Sequence, residues 1–389
     1  MNQQPLLSAC SSCTQQIPVH TMSSSSPKPR ILIITGSSDI AEAHQFIGLA
    51  QSGFNIAMIS DPDARFNAKF IEAGIKLTPL KIKGRFDYKA RAVIRELITT
   101  HNPQLIHAMN NGAVANGLAA SKGMKIPFIA YRGIEGNDSY WDPFTWQTYL
   151  NPRVTRVVCV ADAIRRFLVK ISLLGYRQPA SKFVTIYKGH DLSWYQQPPG
   201  DLTEFDIPEQ AFVIASVANY RPRKGIPVLI DAFDKLASHP DMHLMLIGKM
   251  DSEELQRKVA ASPCRERIHL TGFRNDVPSL VSACDLYVLP SLKREGLPKT
   301  VIEAMAYAVP PIVTDSGGSP ELIEQGISGL IVRSGDADDM AASIRKMYET
   351  SAEERQRMGL AAQERLRTHF HTSETVKQTK ALYEELLSQ

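Results

Sequence analysis

The sequence predicts an α/β chain of two Rossmann-like, doubly wound domains. Short apolar runs alternate with helical stretches along most of its length, the pattern of strand-helix-strand units on a mostly parallel sheet. The alternation stops at a Pro- and Asp-bearing stretch, 196–210, and then restarts, which marks a linker. With 389 residues the chain is long enough for two ordinary domains. A content of 43% hydrophobic and 22% charged residues is that of a soluble protein. No apolar run approaches the ~18 residues that would suggest a membrane span.

Residues 1–29 are rich in Ser, Gln and Pro and are expected to be disordered. Leu7, Ser8, Ala9 and Cys10 imitate a lipoprotein cleavage box, but no basic start or apolar core precedes them. Cys10 and Cys13 lack the second pair that a metal site needs. The first domain, 30–195, opens with the buried-type run ILII at 31–34, followed by the small-residue loop Thr35, Gly36, Ser37, Ser38. Further strands are expected at 56–59, 104–107, 127–130 and 157–160. His107 closes an apolar run and is read as a satisfied strand-end histidine rather than a base. Cys159, Cys264 and Cys284 sit in apolar segments as small core residues, and five cysteines in all suggest a reducing cytoplasm.

The second domain, 211–371, begins with a strand at 211–215 and a basic loop from Asn219 to Gly225. Strands follow at 244–248, ending on Gly248, and at 268–273, ending on Gly272 and Phe273. Next come a helix after Asp276 and Val277, an apolar run at 283–291, and a strand at 312–314. Ser319 is expected to cap a helix with Pro320 at its first position and Gly326 past its end. Residues 372–389 form a separate amphipathic helical tail.

The chemistry concentrates in 291–323. Glu295 and Glu303 stand with seven residues between them around the start of a predicted helix. Pro298 suits the first turn, and Val301, Ile302, Ala304, Met305 and Ala308 supply an apolar face. Glu295 then lies in the loop before the helix and Glu303 about one turn inside it. Free N–H groups and the positive dipole end at a helix start favour a phosphate. Carboxylates on either side can accept hydrogen bonds from sugar hydroxyls. A sugar nucleotide fits this arrangement.

The run REGLP…EAMA, with GG-x-PE beyond it, resembles the E-x7-E signature of family 4 retaining glycosyltransferases, which have the two-Rossmann GT-B fold with the active site in the cleft between domains. The resemblance implies that Glu295 holds donor-sugar hydroxyls, Glu303 the ribose, and the backbone at Gly296 and Leu297 the diphosphate. Asn219 to Gly225 is similar to the family's R-x4-K-G loop: Lys224 matches, Asn219 takes the Arg position, and Arg221 or Arg223 can supply the missing charge. The strands ending at Gly248 and at Gly272 and Phe273 lead into a run similar to the family's G-x4-D-V…A-D-x-x-V-x-P-S series, and the resemblance implies that these residues bind the donor. Gly36 matches one of the paired glycines that the family often places near donor phosphates and acceptor. Arg132 stands before Gly133 where many relatives have His near the donor sugar's outer hydroxyl, and there it could bind an anionic group on donor or acceptor, bidentately if that group is a carboxylate or phosphate. At 182–195, KFVTIYKGHDLSWY is similar to the family's V-I-P-N-G-V-D segment, with Gly189 and Asp191 matching. Tyr187, Lys188 and His190 replace Pro, Asn and Val. The tail helix would cross back onto the first domain.

By the same resemblance the reaction retains the donor's anomeric configuration through front-face attack and needs no cofactor and no divalent metal. Lys224, the arginines and the helix start would stabilise the developing negative charge. Asp61, Pro62 and Asp63 imitate a metal-binding D-x-D, far in sequence from the donor motifs.

The net charge of +4 divides unevenly: 30–195 hold 21 Lys and Arg against 12 Asp and Glu, and 196–389 hold 22 against 28. A basic first half suggests an anionic neighbour, either a lipid-linked acceptor at an anionic membrane or a phosphorylated glycan. No aromatic-plus-basic stripe points to nucleic acid. A cytoplasmic protein, in peripheral contact with the membrane, is the expected setting, in cell-envelope polysaccharide or lipopolysaccharide assembly. Two other classes compete. Ile34 to Ile40 together with Tyr220-x3-Lys224 imitate a short-chain dehydrogenase, although Pro222 argues against a helix there. A non-catalytic sugar-nucleotide-binding partner would retain the fold and explain Asn219 and Arg132.

Overall fold

The computed structural model describes residues 28–136 and 138–389. Cys10, Cys13 and the lipoprotein-like box lie outside these residues. The first sheet contains β1 (Arg30–Ile34), β2 (Asn55–Ser60), β3 (Lys76–Pro79), β4 (Leu105–Ala108), β5 (Phe128–Arg132), β6 (Arg156–Cys159) and β7 (Phe183–Thr185). All pair in parallel, in the order β3-β2-β1-β4-β5-β6-β7. The second sheet contains β8 (Phe212–Val217), β9 (Met242–Ile247), β10 (Ile268–Gly272), β11 (Leu286–Leu289), β12 (Pro311–Thr314) and β13 (Leu330–Val332). It too is parallel, in the order β10-β9-β8-β11-β12-β13. These are two doubly wound Rossmann-like domains.

Alternation along the central strands explains how each sheet buries both faces. In β1, Leu32 and Ile34 join the core on one face, while Ile31 and Ile33 join the core on the other. In β8, Ile214 points to one core and Val213 and Ala215 to the opposite one. Strands covered by helices on both faces become continuous apolar runs, which is why they were readable.

Three strands, β3, β7 and β13, were not anticipated. Each is three or four residues long and lies at a sheet edge. β3 is half-exposed throughout, so it carries no apolar run to betray it. The expected helix after Ser319 is also corrected. The chain makes only a 3-10 turn, Ser319–Leu322, whose N-cap is Gly318, and Ser319 caps nothing. Pro298 likewise sits one place earlier than expected, as the extended N-cap of the helix Lys299–Ala306.

Residues 196–210 pack on the second domain: Gly200 N–H donates to the Ser279 carbonyl (2.8 Å), and Ile207 is buried in its core. The helix Ala352–His369 lies so close to the end of Lys299–Ala306 that a Cβ on Gly359 would strike the Ala308 carbonyl. The chain then returns to the first domain, where the helix Thr372–Leu387 packs along Ile40–Gln51. Buried Gln45 donates to Thr379 Oγ1 (2.9 Å), and the Tyr383 hydroxyl meets His107 Nδ1 at 2.7 Å. His107 is therefore a buried structural partner of the tail, and burial pushes its imidazole down to about 3.

Candidate active site

The site forms where the C-terminal ends of the second sheet's strands meet the first domain. After β8, Pro222–Lys224 form a 3-10 turn, and Gly225 reverses the chain at φ +70°. Only glycine suits that position, because a Cβ would strike the Pro290 carbonyl. The turn is pinned by Leu292 N–H donating to the Arg223 carbonyl (2.8 Å). Pro222 and this turn keep Tyr220 and Lys224 off a common helix face, the arrangement a dehydrogenase pair needs. Tyr220 instead bonds Glu254 (3.1 Å).

Lys224 Nζ reaches Glu295 Oε1 at 2.7 Å, and Ser291 Oγ donates to the same oxygen at 2.6 Å. Glu295 is only 6% exposed. Glu303, also 6% exposed, lies one turn inside the helix and is paired with Lys299 Nζ at 2.9 Å. Both carboxylates are thus buried beside a cation at the start of one helix.

A cleft of about 460 Å3 brings together Asn219, Arg221, Arg223, Lys224, Gly248, Phe273, Glu295, Gly296 and Leu297. The first domain contributes Gly133 and Ile134, and the helix start contributes Pro298, Lys299 and Thr300. Asn219 carries no charge into the cleft and accepts from Lys249 N–H (3.0 Å), so it shapes the loop. Gly248 adopts φ +124° against the Ala218 carbonyl, and its N–H donates to the Gly272 carbonyl (3.0 Å). Gly272 supports this rim without lining the cleft.

Arg132 and Gly36 belong elsewhere. Arg132 borders a second cavity of about 500 Å3 in the first domain, which shares Gly133, Ile134 and Leu297 with the cleft. Its Nη2 meets Asp138 Oδ2 at 2.5 Å and its guanidinium stacks on the Tyr149 ring, so its charge is already matched. Gly36 lies beside Asn110 and the Asp61 carboxylate at the edge of the same region. Among the described residues, no three His, Cys, Asp or Glu gather as a metal site, Asp61 and Asp63 included.

Several contacts that close the two domains on each other were not foreseen. The Glu321 carboxylate, in the second domain, accepts from Asp162 N–H (2.8 Å) and Ala163 N–H (2.7 Å). It thereby caps the first-domain helix Asp162–Lys170, which lacks a cap of its own. Gly296 abuts the Gly133 carbonyl and Gly318 abuts Ala161, at distances that leave no room for a Cβ. Ser291, in direct contact with Glu295, was also missed; a serine ending a strand carries no local signal of that role. Among the described residues no helix is long and apolar enough to cross a membrane.

Two family models match in tandem: Glycosyltransferase Family 4 over residues 47–194 and Glycosyl transferases group 1 over residues 201–365. The chain is 28% identical over 187 residues to N-acetyl-alpha-D-glucosaminyl L-malate synthase of Bacillus anthracis, covering 47% of this chain and 48% of that one. It is 30% identical over 190 residues to the amylovoran biosynthesis glycosyltransferase AmsK of Erwinia amylovora, covering 46% of each. The chain thus spans about half the length of these two curated relatives. The crystal structure of Anabaena Alr3699/HepE in complex with UDP and glucose has the same fold, with a TM-score of 0.71 and 21% identity, covering 91% of this chain and 99% of that one. With its two domain models in order on two parallel Rossmann-like sheets, the chain belongs to family 4 of the glycosyltransferases.

Proposed function

We propose that this protein is a retaining glycosyltransferase that moves a sugar from a nucleotide-sugar donor to a hydroxyl of a glycan or lipid-linked acceptor. The observation that carries the reading is the pair Glu295–Lys224 in a cleft roomy enough for a sugar nucleotide, at the start of the helix that bears Glu303, which itself does not line the cleft. A neighbouring fold holds UDP and glucose, and a relative is named for amylovoran biosynthesis. Both support a nucleotide-sugar donor and a role in cell-envelope polysaccharide or lipopolysaccharide assembly.

In this reading the Glu303 carboxylate accepts the ribose hydroxyls and Glu295 those of the donor sugar. Lys224, with Arg221 and Arg223 beside it, meets the diphosphate together with the backbone at Gly296 and Leu297. The bond from the anomeric carbon to the phosphate oxygen breaks as the acceptor oxygen bonds the same face. The acceptor proton passes to the departing phosphate. Preorganised cations at the developing phosphate charge stabilise that step. No residue is assigned as a covalent nucleophile, and no divalent metal is required. The first domain's cavity is the acceptor side, and closure of the domains on the donor commits it.

Exposed aromatic residues support peripheral contact with an anionic membrane. Tyr88 (76% exposed) and Trp141 (79% exposed) protrude from the first domain. Arg91 lies over Tyr88 (5.0 Å) and Arg85 over Phe144 (4.6 Å), an amphipathic mix suited to headgroups.

The test is thermal stabilisation by UDP-, GDP-, ADP- and dTDP-sugars beside NAD and NADP, without added metal. Stabilisation by one nucleotide series, lost in Glu303→Ala, is the expected result. Stabilisation by NAD or NADP instead would overturn the reading.

A further inference from the structure

Two cations border the first-domain cavity, and each already has carboxylate partners. Arg132 is 7% exposed and bridged to Asp138. Lys188 Nζ meets both Asp39 Oδ2 (2.8 Å) and Glu42 Oε1 (2.7 Å), beside the Tyr131 ring. Three carboxylates therefore answer the two cations among the described residues lining the cavity, and no positive charge of that lining is left over. The uncharged polar groups of the lining are Asn110, Asn111, Tyr131 and Tyr149, with the Tyr149 hydroxyl donating to Asn111 Oδ1 (2.5 Å).

Because Asp138 is bridged to Arg132, the guanidinium brings no free charge to the cavity. A phosphate or carboxylate placed here would lose its hydration and meet a surplus of carboxylates, whereas a hydroxyl would need only hydrogen bonds. The excess of basic residues in this domain is no guide to the cavity. Arg85, Arg91, Lys122 and Arg153 instead border a separate hollow.

We infer that the acceptor group entering this cavity is an uncharged, hydroxyl-bearing sugar, and that Asp138, by neutralising Arg132, excludes anionic acceptors. The inference rests on the glycosyltransferase reading, with the first domain as the acceptor side. It narrows that reading, since a lipid-linked or polymeric acceptor would present a neutral sugar here and keep its charged parts outside.

The experiment separates the two levels. Slow release of nucleotide from the donor without acceptor, together with donor stabilisation, reports on the transferase reading alone; its absence fails that reading. With the donor known, methyl glycosides of glucose, galactose, mannose and N-acetylglucosamine are compared with glucose 6-phosphate and methyl glucuronide. Neutral glycosides are expected to exceed the anionic sugars in kcat/KM by about 100-fold. Asp138→Asn should shift that ratio toward the anionic sugars by about 10-fold or more, a change that mere loosening of the loop would not produce. Preference for an anionic sugar by the wild type overturns the inference. So does donor turnover without transfer to any neutral glycoside, or a folded Asp138→Asn variant with an unchanged ratio. If that variant does not fold, the wild-type panel alone decides.

Discussion

Lys224 Nζ lies 2.7 Å from Glu295 Oε1, joining two loops 71 residues apart at the candidate cleft. In the proposed reading the bridge holds the cation where a donor phosphate develops charge; in the structure it holds the carboxylate beside the helix start. Ser291 donates to the same oxygen, so Glu295 is fixed from two directions. Site order therefore depends on the pair as well as on each charge.

Replacing Lys224 by Ala removes the cation and leaves a buried carboxylate whose remaining side-chain partner among the described residues is Ser291. Turnover should fall ~10²–10³-fold. Stability should fall by about 1–3 kcal/mol, the cost of a buried polar group losing one partner. Steady-state kinetics and urea unfolding measure the two effects. Turnover near that of wild type would refute the assignment of Lys224.

Glu303→Gln keeps the shape of the side chain but removes its charge. Hydrogen bonds from ribose hydroxyls to a carboxylate are worth about 1.5–3 kcal/mol, so donor affinity should weaken about 10-fold or more. Lys299 is half-exposed, and its ion pair with Glu303 counts for less. Lys299→Ala should therefore change donor affinity by less than about 3-fold. Calorimetric titration with the donor distinguishes these outcomes; equal losses would assign the effect to the ion pair.

Gly296→Ala and Glu321→Ala test domain closure. A methyl group at Gly296 would collide with the Gly133 carbonyl, and loss of Glu321 would uncap the helix Asp162–Lys170. Both variants should keep the two folded domains but raise the radius of gyration in X-ray scattering. Glu321→Ala gives up charge-assisted hydrogen bonds worth about 1–3 kcal/mol, which should lower kcat/KM about 10-fold. An unchanged scattering profile in both would show that these contacts do not set the closed form.

Acid should weaken the fold through two histidines. Burial holds His107 and His190 down at about 3, each against a tyrosine hydroxyl. Unfolding returns both to about 6.5. Across the window from about 6.5 to about 3 the unfolded chain binds more protons, so stability is lost as pH falls. Each histidine adds a slope of up to about 1.4 kcal/mol per pH unit. Urea midpoints should drop between about pH 7 and about pH 5, and His107→Asn should make the drop shallower. A midpoint independent of pH would contradict the neutral burial of these rings.

The loop-helix junction of the candidate site was legible because its signals are local. Glu295, Pro298 and Glu303 occupy nine consecutive positions of one loop-helix junction, so their spacing sets their geometry. Lys224 and Gly225 lie in the turn that follows a strand whose buried run announced it. The first-domain cavity was less legible. Arg132 had the right address, at the end of β5, but its partner lies on an irregular loop. Spacing alone cannot say that Asp138 turns back onto it, and the expectation of a free anion-binding arginine rested on that gap. Lys188 was noticed as a replacement for Asn, yet Asp39 and Glu42 approach it from a helix about 150 residues earlier.

By itself, then, the sequence determined the doubly wound domains and the loop-helix junction of the candidate site. Periodic burial and helix-start chemistry are written within a few turns of chain. Only the tertiary structure decided the short edge strands, the pairing of Lys224 with Glu295, the neutralised cations of the first-domain cavity and the Glu321 cap across the domains. Those contacts join segments that share no local period, and chain folding alone brings their charges within hydrogen-bond reach.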